Sequence, residues 1–315
     1  MNEKLEVSPS GKTQLVSILG NTLKEMKQNY PTASLAELVK KASLYLEENV
    51  KQQDLVIGEE LEHLLADYDL FRNTFLQANN INEFDYYTKD VDTKLKAYVE
   101  EFIFPQYEKN DKAHGLLHIK EVIRRSFELN QNLKLQLDPN ILYAVAAYHD
   151  LGKYIDHETH EKIAAQLFYE DEHISEFFNH NTRVLIKEAI EDHRSSFQDM
   201  PRSDYGKLIS SADRNTRIET VFIRSFFVGK WRTPEMTIEE FLDFTFHRLE
   251  KRYGMEKPEN MFYEDDTYRN FLKDMRTLLT DEVEFKNRYC QVNHISSKDS
   301  ILVEEPKQLI KTTES

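Results

Sequence analysis

An all-α fold follows from three features of the 315-residue sequence. Punctuation is sparse: eight glycines and eight prolines are too few for the frequent turns of a β-sandwich or barrel. Charged residues make up 31% and hydrophobic residues 40%, the mixture that amphipathic helices around a buried core require. Apolar residues also recur at three- and four-residue spacing in segment after segment, which places them on one face of a helix.

The elements follow in order. Residues 1–13 are polar, contain Ser, Pro and Gly, and read as a loose leader. Leu15, Ile18, Leu19 and Leu23 form the first stripe, and Pro31 separates it from the next. Ser34 with Glu37 three residues on is a capping box, followed by Leu35, Leu38, Val39, Ala42 and Leu46. A third helix is expected over about 58–77; His63 lies there among Glu59, Glu60 and Glu62 and reads as a surface residue. Asn79-Asn80-Ile81-Asn82 is a connector, with a domain boundary expected within 79–92.

From Val91 to about Glu108 an amphipathic stretch is interrupted by Pro105, and a helix is expected over Lys112–Phe127 with His118 and Val122 on one face. Asp138-Pro139 supplies an N-cap and a first-turn proline for the next helix, whose stripe Leu142, Val145, Ala146 ends on His149. The pattern recurs: Ile186, Ala189 and Ile190 lead to His193, and Ile209 and Ala212 lead to Asp213. Thr237 and Glu240 form a second capping box for a helix through about Tyr253, with Gly254 as its C-cap, and a further helix runs from about Tyr268 to Leu279. Past Cys290 the chain turns polar. The expected division is therefore a helical appendage at 1–85, a core with C-terminal helices at 90–285 and a flexible tail at 290–315.

Composition excludes several functions. The net charge of -15 opposes binding to a nucleic-acid polymer, which needs a broad basic surface. Cys290 is the single cysteine, so a disulfide framework and a Cys-rich zinc site are excluded and a reducing cytoplasm is expected. Residues 1–10 lack the apolar region of a secretory signal. The longest apolar run, residues 141–148, is far short of the roughly 20 residues that span a bilayer.

His149-Asp150 closes that apolar run. An imidazole and a carboxylate are costly to bury unless paired, and a divalent cation pairs with both. With His118 before it and Asp213 after it, the order is His, His-Asp, Asp across several helices. This set resembles the HD-domain superfamily of metal-dependent phosphohydrolases, which are helical bundles. HGLLHIKEV is similar to the family's first motif, AAYHDLGK to the second, HEKIAAQLF to the following segment and ISSADRNT to the final aspartate helix, and together the motifs cover roughly 113–228.

The resemblance implies that His118, His149, Asp150 and Asp213 ligate the first metal. His160 and His193 match the extra histidines of two-metal members, in which Asp150 would bridge cations about 4 Å apart. His114 is the lesser candidate in its motif, as a ligand or substrate contact. Many members carry arginine directly before the valine of the first motif; here it is Glu121, so no substrate role carries over to that position.

Histidine and carboxylate donors suit Mn²⁺, Fe²⁺, Zn²⁺ or, less well, Mg²⁺. Asp150 and Lys153 are the candidate catalytic residues, and Lys153, Arg194 and Arg214 the candidate phosphate contacts. Between 200 and 233 stand seven basic residues (Arg202, Lys207, Arg214, Arg217, Arg224, Lys230, Arg232) against three acidic ones, the local charge of an anion pocket; Arg224, Lys230 and Arg232 read as partners of surface carboxylates. Neither Glu191 nor Asp192 is assigned as general acid. His157, His173 and His180 read as surface residues. The expected function is metal-dependent hydrolysis of a phosphoester or phosphoanhydride bond in a small phosphorylated metabolite, with a nucleotide as the best fit. The alternative is a catalytically silent metal- and nucleotide-binding regulatory or scaffold protein.

Overall fold

The computed structural model describes residues 9–49, 55–194, 200–233, 235–256, 261–263 and 265–295. Among the described residues there are fifteen α-helices and no strand. The first group is α1 (Pro9–Asn29), α2 (Leu35–Asn49), α3 (Leu55–Ala66), α4 (Tyr68–Ala78), α5 (Glu83–Tyr87) and α6 (Thr93–Tyr98). The central group is α7 (Leu116–Asn132), α8 (Pro139–Tyr148), α9 (His160–Glu170), α10 (His180–Glu191) and α11 (Asp204–Ala212). The last group is α12 (Ile218–Arg232), α13 (Ile238–Tyr253), α14 (Asp266–Leu278) and α15 (Glu282–Val292).

Local sequence sets most of the helix starts. The Ser34 box forms as expected, with the Ser34 amide donating to Glu37 Oε2 at 2.9 Å and the Glu37 amide to Ser34 Oγ at 3.3 Å. Asp138 Oδ1 accepts from the amides of Asn140 (2.9 Å) and Ile141 (3.1 Å), and Pro139 takes the first position, where a missing N–H leaves nothing unsatisfied. The Thr237–Glu240 box is likewise complete.

Five expectations change in detail. Helix α1 begins at Pro9, inside the expected leader. The single helix expected over 58–77 is two, because Asp67 adopts an extended backbone and caps α4 by accepting from the Leu70 amide at 3.0 Å. The stretch from Val91 to Glu108 is not one helix: α6 widens into a π turn at Val99–Ile103 and then tightens into a 3₁₀ turn at Phe104–Lys109 with Pro105 in its first positions. Gly254 ends α13 with φ of −55° rather than in the left-handed region; it has to be glycine because a Cβ there would stand 2.5 Å from the Glu250 carbonyl oxygen. Helix α15 continues past Cys290 to Val292 on the fully buried Tyr289, and residues 296–315 of the expected tail lie outside the described residues.

Two buried apolar clusters organise the fold. One runs from Leu15 to Ala212 and joins α1–α4 to the central helices. The other, from Ile218 to Tyr289, is built by α12–α15 and is rich in Phe and Tyr. Helix α8 is the axis of the first: all seven residues from Leu142 to Tyr148 are buried, as an all-round apolar helix must be. No helix among the described residues is long and apolar enough to cross a membrane.

Candidate metal centre

Three helices deliver ligand-type residues from their C-terminal ends. His149 and Asp150 follow α8, His193 follows α10 and Asp213 caps α11. Each helix C-terminus carries about half a negative charge, so their convergence favours a cation. His118 comes from the first turn of α7 and His160 is the first residue of α9.

Asp150 is fully buried at the centre. Its Oδ2 lies 3.6 Å from His118 Nε2 and 3.7 Å from His149 Nε2; its Oδ1 lies 3.2 Å from His160 Nε2 and 3.7 Å from His193 Nε2. One carboxylate thus faces two histidine pairs, one with each oxygen. Asp213 Oδ1 joins the first pair, 3.1 Å from His118 Nε2 and 4.0 Å from His149 Nε2.

The imidazoles are held ligand-side inward. Nδ1 of His149, His160 and His193 bonds to the carbonyls of Ala146 (2.8 Å), His157 (2.9 Å) and Ile190 (2.7 Å), the outer-shell bond that directs Nε2 at a metal. Nε2 of His118 and of His149 is buried with no hydrogen-bond partner, a cost that a cation would remove. The close donor groups are His118–His149–Asp150, His149–His193–Asp213 and Asp150–His160–His193. Their chemistry fits a divalent metal.

The electrostatics agree. Burial pushes His149 down to about 4. For His118 and His193 burial acts in the same direction, but the neighbouring carboxylates of Asp150 and Asp213 outweigh it and raise both. Against the cost of burial, the surrounding imidazoles, His149 first, hold Asp150 well below the usual carboxylate range, and His118 does the same for Asp213. Both carboxylates are held in the ionised form, the form in which a carboxylate ligates a metal.

Two loops hold this arrangement. Asn110 Nδ2 donates to the carbonyls of Asp150 (3.1 Å) and His114 (3.0 Å), pinning the His-Asp loop to the turn before α7. Arg202 closes the far side: its Nη2 bonds to Asp192 (2.7 Å) and Glu191 (2.7 Å) and its backbone amide to Asp192 (2.7 Å). Both unassigned carboxylates are therefore engaged away from the centre. Gly152 permits the loop to lie on α9, since a Cβ there would stand 2.6 Å from Ile163 Cγ2 and 2.9 Å from the Ala164 amide. Gly152→Ala is expected to cost about 1–3 kcal/mol of stability and to weaken metal binding by separating Asp150 from His160. Denaturant unfolding and metal titration check this, and unchanged values in both would show that the loop needs no such approach.

The remaining candidates occupy the surroundings. Lys153 Nζ lies 3.3 and 3.4 Å from the two Asp150 oxygens. Arg194 pairs with Glu158 (3.4 Å) and Glu161 (3.6 Å), and its Nη1 donates to the Glu158 carbonyl. Arg214 stacks on Tyr268 and Phe262, 5.0 and 5.8 Å from the ring centres. Glu121 points outward, held by Arg124 Nη2 at 2.7 Å. His63, His173 and His180 are exposed, as expected.

Three further residues surround the centre: His114, the lesser candidate of its motif, and His157 and Arg224, which sequence reasoning placed at the surface. His114 bonds through Nδ1 to both oxygens of Asp111 at 2.8 Å. His157 is exposed yet completes a ring of six imidazoles: 5.7 Å between the centroids of His118 and His149, then 5.0 Å to His193, 5.3 Å to His160, 6.2 Å to His157, 6.0 Å to His114 and 5.9 Å back to His118. Arg224, read from sequence as a partner of surface carboxylates, donates from Nη1 to the neutral Asn215 Oδ1 at 3.2 Å, and its charge acts on His114 and His118. Asp111 three residues before His114 is a usable local signal; nothing local marks Arg224.

Residues 115–218 match the family model described as HD domain. His118, His149, Asp150, His160, His193 and Asp213 all lie inside that span. No curated protein and no solved structure matches the chain.

Proposed function

Since residues 115–218 make this an HD-domain protein, we propose that it is a metal-dependent phosphohydrolase acting on a small phosphorylated metabolite, with a nucleotide as the best-fitting substrate. The observation that carries this reading is Asp150, buried, with each oxygen facing a separate histidine pair. In this reading His118, His149, Asp150 and Asp213 hold one cation, and Asp150, His160 and His193 hold a second. Mn²⁺, Fe²⁺ and Zn²⁺ suit these donors, and Mg²⁺ less well. A divalent metal supplies a nucleophilic water near neutral pH and charge to offset the phosphoryl oxygens.

The chain's own residues do the rest. Asp150 sets the spacing of the two histidine pairs. Lys153, beside both of its oxygens, presents an ammonium to a phosphoryl oxygen of the substrate, while Arg194 and Arg214 are placed further out. The buried helices α7, α8, α10 and α11 limit water on the inner side, so the substrate approaches from the side of His114 and His157. The six-imidazole ring opens there.

The test is metal analysis of the purified protein followed by phosphate release from nucleotides and simple phosphoesters with Mn²⁺, Fe²⁺, Zn²⁺ and Mg²⁺ supplied separately. The expected result is one or two metal ions per chain and release from at least one phosphate compound. Metal-loaded protein that binds nucleotide tightly without turnover would replace the enzyme with a ligand-binding regulator.

A further inference from the structure

Two side chains of one short turn reach across 40 residues of sequence to the backbone that carries His149 and Asp150. Tyr107 belongs to the 3₁₀ turn Phe104–Lys109 and Asn110 caps it; at about three residues per turn, the two share a face. The buried Tyr107 hydroxyl donates to the Ala147 carbonyl at 2.7 Å, and Asn110 Nδ2 donates to the Asp150 carbonyl at 3.1 Å. One bond falls just before the ligand dipeptide and the other at its end. Both residues precede the matched span 115–218.

The first bond bears on how α8 ends. A helix continuing past Tyr148 would give the carbonyls of Ala146 and Ala147 to the amides four residues on, those of Asp150 and Leu151. Instead the His149 ring takes the Ala146 carbonyl at 2.8 Å, the Tyr107 hydroxyl takes that of Ala147, and the Leu151 amide turns to the Tyr148 carbonyl at 3.0 Å. The chain leaves the helical path at the ligands. Successive positions on a helix point about 100° apart, whereas Nε2 of His149 and Oδ2 of Asp150 stand 3.7 Å from one another.

The second bond holds the far end of the turn. The Asp150 carbonyl also accepts from the Lys153 amide at 3.1 Å, so both of its lone pairs are used. Asn110 Nδ2 spans from there to the His114 carbonyl at 3.0 Å.

We propose that Tyr107 and Asn110 are positioning residues of the metal centre, which hold the backbone from Ala147 to Asp150 so that each Asp150 oxygen meets its histidine pair. The proposal rests on the metal-binding reading of the cluster and extends it to residues outside the donor set. Both bonds go to main-chain carbonyls, so the two residues act through where Asp150 stands. Tyr148 is the natural contrast: it precedes His149 directly, but its hydroxyl donates to the Asp171 carboxylate at 2.6 Å rather than to the backbone of the ligands.

The experiment titrates Co²⁺, a divalent ion whose visible spectrum follows its coordination geometry, into metal-stripped full-length protein and into its Tyr107→Phe, Asn110→Ala and Tyr148→Phe variants. Affinity, the spectrum of the bound ion and the melting temperature without metal are recorded for each. Tyr107→Phe and Asn110→Ala should each weaken Co²⁺ by about tenfold, the scale of losing a group that orients a ligand, and should alter the spectrum. Tyr148→Phe should lower the melting temperature and leave affinity and spectrum at the wild-type values. Asn110→Ala carries the test alone if the tyrosine variant does not fold. Wild-type affinity and spectrum in both Tyr107→Phe and Asn110→Ala, or an equal loss in Tyr148→Phe, overturn the proposal while leaving the metal centre in place. A wild type that binds no Co²⁺ and, by metal analysis, no other divalent ion removes the metal reading, and this proposal with it.

Discussion

Asp150→Asn is expected to lower metal affinity and phosphate release by more than about 100-fold, because loss of a residue that merely hydrogen-bonds a ligand already costs about 10–100-fold. Asparagine keeps the size of the side chain and loses what the position requires. Each Asp150 oxygen faces two imidazole Nε2 atoms, at 3.2–3.7 Å. An amide offers one oxygen and one NH₂ group, so whichever way it turns, one histidine pair meets hydrogens where it had met an anion. Asp213→Asn should be milder, since Asp213 Oδ1 faces only His118 and His149. Metal analysis of both variants next to wild type measures the difference. Full metal content in Asp150→Asn would sink the assignment of Asp150 as the central ligand.

The second large effect concerns stability. Arg125 on α7 is buried at 2% exposure, and its Nη2 reaches both oxygens of Asp265 at 2.5 Å while Nη1 reaches Glu128 at 3.0 Å. Asp265 also caps α14 by accepting from the Tyr268 amide at 3.1 Å. Asp265→Ala removes the cap and leaves the guanidinium with Glu128 alone. Breaking a buried pair from one side costs about 3–5 kcal/mol and a lost cap about 1 kcal/mol; with Glu128 still present, a net loss of about 3 kcal/mol is expected. Asp265→Asn should retain the cap and lose less. Denaturant unfolding checks both, and a loss below about 1 kcal/mol for the alanine variant would show that the pair contributes little.

The helices and the inward-facing polar residues at their ends were legible for one reason: a stripe of apolar residues fixes which way a helix faces, and a polar residue at the end of that stripe must then face inward. His149, His193 and Asp213 each end such a stripe, and the structure brings their side chains to one point with His118, Asp150 and His160. Capping chemistry was equally local at Ser34, Asp138 and Thr237. What the sequence did not reveal depends on distant packing. Asp67 splits an apparently continuous helix because α4 turns onto α1 and α2. Arg224 looked like other surface arginines, since its pairing with the neutral Asn215 at 3.2 Å arises only once α12 has folded. His157 looked solitary because its ring neighbours, His114 and His160, come from different elements.

The spread of the ligands along the chain has a consequence during synthesis. His118 and Asp213 are separated by roughly 95 residues, so at a ribosomal rate of about 5–20 residues per second His118 emerges some 5–20 s before Asp213. For that interval the nascent chain displays histidines without the carboxylate that completes their set. The complete donor set is therefore assembled only after α11 has left the ribosome and docked.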